Sequence, residues 1–167
     1  MTYLWNVLVC VLIFAVGPPL SASAQSTIRI KITEYGIYTV DNTDSQRNSA
    51  GILNGTVTNE HRTVTTTKVP AKLGVNFGFR YRIVGGPKER SVTLKKVVVY
   101  PPAGVQPPQS STPLQRDERT LMRSIGETFY AGYGFDDPWE LVPGTWIIQL
   151  WQADHKLAEK QFAVVAP

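Results

Sequence analysis

Arg80 and Arg82 alternate with Phe79 and Tyr81, and Lys95 and Lys96 stand in the next apolar stretch. Arg29, Lys31, Lys88 and Arg90 add further cations nearby. Several lysines and arginines on one sheet face could grip phosphate or carboxylate groups. The competing reading is a solvated face whose long side chains cover the sheet and prevent edge pairing. A second group is Tyr130, Tyr133, Phe135 and Trp139, with Asp136, Asp137 and Glu140 alongside. Exposed rings beside carboxylates could stack on sugar rings and hydrogen-bond their hydroxyls. If buried, the same rings would fill one end of a core and the neighbouring glycines would form tight turns. The candidate ligand-binding residues are therefore Arg80, Arg82, Lys95, Lys96, Tyr133 and Trp139.

Other chemistries lack their residues. His61 and His155 are the only histidines and no short ligand spacing links them. Asp41-Asn42-Thr43-Asp44-Ser45 has the acidic start of a calcium loop but not its later glycine and glutamate. No metal and no cofactor is expected. The chain has no Gly-x-Ser-x-Gly elbow, no His-Glu-x-x-His helix and no phosphate-cradling glycine loop. Asp136 or Asp137 could pair with Glu140 as acid and base, but nearby carboxylates are common in loops. Asn54-Gly55-Thr56 matches a glycosylation acceptor and equally a turn or bulge. The reading is a protein that is not an enzyme.

The N-terminus sets the compartment. Val7 to Val16 is unbroken apolar sequence, Gly17-Pro18-Pro19 breaks it, and Ala22-Ser23-Ala24 supplies the small-residue cleavage pattern of a signal peptide over residues 1–24. The run is too short to span a bilayer, so no membrane span is expected after cleavage. Residues 1–6 carry no lysine or arginine, and a retained N-terminal anchor is the rival reading. Cleavage removes Cys10, the only cysteine, and with it all disulfide and thiol chemistry. An exported protein without disulfides suits the bacterial periplasm, with secretion as the alternative. The formal net charge of +4 calls for an acidic partner. Export argues against nucleic acid and for an anionic envelope polysaccharide or lipid headgroup. An envelope protein is the other partner considered.

Residues 25–167 suit one domain that must hold these side chains in place. Their dominant period is two. Ile28, Ile30 and Ile32 alternate with Arg29, Lys31 and Thr33, as in a half-buried strand. Gly36 in the continuation marks a bulge or a close backbone approach. A polar, turn-rich stretch follows at 41–49. Two strands are expected at 51–58 and 62–69, the second Thr-rich and a candidate sheet edge. The clearest strand is Val75 to Ile83, and Gly85-Gly86-Pro87 turns it towards Ser91 to Tyr100. There Val92 and Leu94 fall out of phase with Val97 and Val99, which a bulge near Lys95-Lys96 would explain. A Pro-rich loop occupies 101–116, a short helical turn is expected within 116–122, and a strand over 124–133. A hairpin of 145–151 and 157–165 closes the chain. These seven or eight short strands predict an all-β, immunoglobulin-like, two-sheet antiparallel sandwich, with a closed barrel as the alternative.

The closing segment Pro143-Gly144-Thr145-Trp146-Ile147-Ile148-Gln149-Leu150-Trp151-Gln152 resembles the last hairpin of many bacterial immunoglobulin-like domains. Its continuation from Lys156-Leu157-Ala158-Glu159-Lys160 to Phe162 does too. Taken back to Glu34-Tyr35-Gly36-Ile37-Tyr38, nearly the whole exported chain is similar to a small family of exported bacterial proteins, domain of unknown function 3859. The resemblance implies an exported bacterial β-sandwich and brings no catalytic or binding residues with it.

Overall fold

The computed structural model describes residues 27–166, so the leader expected at 1–24 lies outside the described residues. Strict alternation gives the central strand of the fold, β4 (Asn76–Val84). Its Phe77, Phe79, Tyr81 and Ile83 all point inward and none retains exposed surface. Burying each such side chain contributes roughly 1.5–3 kcal/mol. On one side β4 pairs with β1 (Arg29–Arg47), and on the other with β7 (Thr128–Gly134). β2 (Leu53–Val64) adds to the far edge of β1, making a four-stranded sheet in the order β2-β1-β4-β7.

The second sheet packs on the inner face of the first. Its order is β3-β9-β8-β5-β6, from β3 (Lys68–Pro70), β5 (Ser91–Val99), β6 (Arg116–Ser124), β8 (Gly144–Gln152) and β9 (His155–Val165). Trp146, Ile148 and Leu150 of β8 and Phe162 of β9 meet the β4 rings between the sheets. The Phe77 ring lies 5.2 Å from that of Phe162, 5.3 Å from Phe135 and 6.0 Å from Trp146. Trp146 donates its indole N–H to the Val142 carbonyl at 2.9 Å, which satisfies the one polar atom it buries. The protein is thus an all-β, immunoglobulin-like sandwich, with nine strands among the described residues. β3 runs parallel to β9, so the second sheet is mixed rather than wholly antiparallel. No helix among the described residues is long and apolar enough to cross a membrane.

Three expectations are corrected. The polar stretch 41–49 is strand as far as Arg47, and 53–58 and 62–64 belong to the single strand β2. Register shifts at Thr39/Asp41 and Thr43/Gln46 bend the long β1–β2 hairpin. Ladder bonds between its two arms hold the stretch 41–47 extended although its residues are all polar. The expected edge strand at 62–69 is divided. Arg62–Val64 ends β2 in the first sheet, while Lys68–Pro70 is β3 in the second. Finally, 116–122 is strand β6, not a helical turn. Its inward face is Asp117, Arg119, Leu121 and Arg123, so alternation is present without apolar contrast.

Gly36 is a close approach. It lies at φ +146°, and a Cβ there would run into the Val64 carbonyl oxygen across the β1–β2 ladder. Only glycine allows that backbone position and contact together.

Candidate functional site

The distal part of the β1–β2 hairpin extends beyond the end of β4 and reaches across to β6. Asn48 organises its tip, where its Oδ1 accepts from the Ala50 and Ile52 N–H groups, both at 3.0 Å. The Asn48 Nδ2 donates to Asp117 Oδ1 at 2.8 Å, tying the tip to β6. Arg47 pairs with Asp137 at 2.6 Å, and Arg119 Nη1 of β6 donates to the Gly55 carbonyl at 2.9 Å. Among the described residues β6 pairs only with β5, and β7 only with β4. The sandwich therefore has an open side between two unpaired edges, and the arm spans it.

Beneath the arm lies a cleft of about 660 Å³, walled by residues of β2, β6 and β7. That volume falls in the range of small-molecule sites, roughly 300–1,000 Å³. A smaller recess of about 60 Å³ shares Lys96, Arg119 and Tyr130 with it and runs inward to Asp117 and Asn76. Among the described residues, the cations facing the cleft are Lys96, Arg119 and Arg123, and the one acid lining it, Glu60, lies 3.7 Å from Arg80. Hydroxyls of Thr56, Thr58 and Thr120 add neutral donors and acceptors.

Lys96 is the centre of the site. It occupies an inward position of β5, in phase with buried Val92, Leu94, Val98 and Tyr100. Its ammonium donates to the Gly132 carbonyl of β7 at 3.0 Å. Burial pushes this ammonium down to about 8, with Arg119 and Arg123 adding to the fall and Asp117 opposing it. Asp117 is raised, first by burial, while Lys96 and the Asn48 hydrogen bond pull it back. Arg123 Nε and the Tyr130 hydroxyl are buried without a hydrogen-bond partner among the described residues. Arg123 also lies over the Phe129 ring, 4.9 Å from its centroid. Cations that are desolvated and incompletely paired in one cleft suit an anion, whose charge would offset their burial.

The other residues singled out in sequence are distributed elsewhere. Arg80 and Arg82 lie on the outer face of the first sheet. Arg80 stands between Glu34 at 3.8 Å and Glu60 at 3.7 Å, and Arg82 Nε donates to the Gly126 carbonyl at 2.8 Å. Lys31 lies opposite Arg82 in the ladder. Lys95 points out of the second sheet and pairs with Glu118 at 3.0 Å. The four cations therefore do not share one face, and adjacent Lys95 and Lys96 point to opposite sides of β5. The expected bulge between them is absent, since β5 holds its register with β6 throughout.

The aromatic end cluster is core. Phe135 is fully buried, Tyr133 is 7% exposed, and Trp139 packs partly buried against them. Glu140, 1% exposed, is their polar support. It accepts from the Tyr133 hydroxyl at 2.6 Å and from the N–H groups of Asp136 and Asp137 at 2.7 and 2.9 Å. Burial raises its carboxyl and these three hydrogen bonds hold it back. Tyr133 thus presents no open ring for stacking, while Trp139 is partly buried at the margin of the cluster. Sequence reasoning missed Arg119 and Arg123, whose signal was the spacing of two among Asp117, Arg119, Leu121 and Arg123.

No curated protein matches the chain. A solved structure similar to it is an immunoglobulin-like protein from Pseudomonas aeruginosa. That protein is 32% identical, with a TM-score of 0.61, over 85% of this chain and 99% of the other. The family model described as Domain of unknown function (DUF3859) matches residues 26–164, nearly all of the sandwich and its loops. On that match the chain belongs to the DUF3859 family, and its immunoglobulin-like core is the family's domain.

Proposed function

We propose that the protein is an exported, non-catalytic binding module of the bacterial envelope whose cleft takes an anionic ligand, such as an acidic segment of an envelope polysaccharide. The observation that carries this reading is the convergence of Lys96, Arg119 and Arg123 on one cleft whose only acid among the described residues is engaged by Arg80. Arginine offers planar bidentate recognition of carboxylate or phosphate, and Lys96 adds a point charge. The threonine hydroxyls would meet the ligand's own hydroxyls. Calorimetric titration with alginate, polygalacturonate and inorganic phosphate, at low and high salt, tests it. Binding to at least one is expected, weakened at least tenfold by Arg119→Gln and little changed by Arg82→Gln. Binding that follows Arg82 instead, or no binding to any of the three, refutes the cleft. Export is tested separately by fractionating cells that express the full chain. Recovery in the cytoplasm with the leader uncleaved refutes it.

A second reading is an adaptor that adds a partner's strand to a sheet edge, gaining affinity from main-chain hydrogen bonds. It rests on β2, which pairs only with β1 among the described residues and has exposed Thr56, Thr58 and Thr63. Capture of one envelope protein that survives high salt, and is lost when Thr63, which does not line the cleft, becomes Pro, would favour it over the cleft.

A further inference from the structure

The outer face of the second sheet, turned away from the inter-sheet core, has a different composition. Across β8, β5 and β6 its central row is Gln149–Val97–Glu118, and the next is Trp151–Lys95–Thr120. Val97 is only 4% exposed yet lies outside the inter-sheet core, so side chains on this outer face must cover it. The Trp151 indole N–H donates to Gln149 Oε1 at 2.9 Å, two residues along the same face of β8. That bond ties the indole to its own strand, and Trp151 stays partly exposed. Lys156, held by Glu159 at 2.6 Å, lies over the ring with its ammonium 6.0 Å from the centroid. Beside the indole is a hollow of about 360 Å³, floored by Val97 and Val99 and closed at one end by the Ala153-Asp154 turn. Its two cations are both committed. Lys95 and Arg116 each lie 3.0 Å from Glu118.

We propose that this face is a second binding site, specific for an uncharged pyranose chain. A sugar ring in the hollow would pack on Trp151, which lines it, while Gln149, Glu118 and Asp154 hydrogen-bond its hydroxyls. An aromatic plane bordered by planar polar groups matches the apolar C–H face and polar rim of a pyranose. The ion pairs leave no uncommitted cation here, so the site selects for a neutral chain, unlike the cleft. The site is independent of the reading given to the cleft, because the two are on opposite sides of the second sheet and share only β5 and β6.

The test is titration of the full-length protein with cellohexaose, maltohexaose and chitohexaose, followed by tryptophan fluorescence and calorimetry in high salt. Binding of at least one is expected to perturb the indole emission and to be insensitive to salt. Trp151→Ala should weaken it at least tenfold, Trp151→Phe less, and Lys96→Met not at all. Matching thermal melts for Trp151→Phe and the parent separate loss of stacking from loss of fold. Binding that persists in Trp151→Ala overturns the proposal. So does failure of all three sugars, or concentration-dependent self-association abolished by Trp151→Ala, which would make the face a contact between copies.

Discussion

Replacing Lys96 with methionine should stabilise the free protein at neutral pH and remove a specific pH dependence. The ammonium ordinarily titrates at 10.5 and burial lowers it to about 8 in the folded chain. At 1.36 kcal/mol per unit, that difference costs the folded state on the order of 3 kcal/mol while the group is charged in both states. Below about 8 both states hold the proton and the penalty is complete. Between about 8 and 10.5 the unfolded chain holds a proton that the folded chain has released, so stability rises with pH. Above 10.5 both are neutral and the penalty is gone. Methionine keeps the length of the side chain but forfeits the bond to Gly132, worth on the order of 1 kcal/mol. The net expectation at pH 7 is a gain of about 2 kcal/mol, or roughly 6 °C in Tm. Tyrosines that titrate in the alkaline range are common to both proteins and cancel in the difference. Urea unfolding at half-unit steps from pH 6 to 11 is the assay. Two parallel stability curves, or a variant less stable at pH 7 with an unchanged slope, would show that Lys96 is not buried against a charge penalty. An anion in the cleft would then have no buried ammonium to offset.

Glu140→Ala should cost about 3–5 kcal/mol in urea unfolding, because it strands the Tyr133 hydroxyl and two backbone N–H groups away from water. A loss under 1 kcal/mol would mean that solvent reaches those donors. Gly36→Ala should destabilise by more than about 3 kcal/mol, since it adds backbone strain to a clash with the Val64 carbonyl; circular dichroism melts would read this. Asn48→Ala removes the two bonds that shape the hairpin tip and the tie to Asp117. It should raise hydrogen exchange across the hairpin tip and the first half of β2 at least tenfold while leaving β4 and β8 protected. Uniform acceleration everywhere would refute the arm as a separately anchored element.

What could be read from the sequence depended on whether a strand has one apolar face. β4 is apolar on one face and polar on the other, so period-two alternation located it, while β8 was legible as a run of β-branched and aromatic residues closed by a turn. Gly36 was equally legible, because a glycine inside a strand signals a close approach. The β1–β2 arm carries no such contrast. It spans an open side and reaches the core only where Ile52 enters it at the tip, so its stretch at 41–49 has the composition of a turn although ladder bonds hold it extended as far as Arg47. β6 fails the test for a related reason. Three of its four inward positions are charged because they face the cleft and not the core. The aromatic cluster at 130–139 admitted two readings, a stacking platform or one end of a core, and ring count could not choose between them or reveal that Glu140 binds the backbone beneath the rings.

The irregularity in β5 has the most consequence. Val92 and Leu94 are out of phase with Val97 and Val99, and a bulge is the economical way to return all four to one core. The register with β6 and β8 shows no such shift. The strand is instead regular, with an apolar pair on its outer face and a lysine where its inner face should be apolar. A strand that only filled a core would have neither feature. Placing Lys96 inward desolvates an ammonium, and turning Val97 and Val99 outward leaves apolar surface to be covered by Trp151 and its polar neighbours. Each is a departure from the pattern that folds the domain most economically, and departures of that kind concentrate where a protein serves a purpose other than its own packing. Both sites proposed for this protein, the anionic cleft and the Trp151 face, are thus opposite faces of one strand whose broken alternation was visible in the sequence.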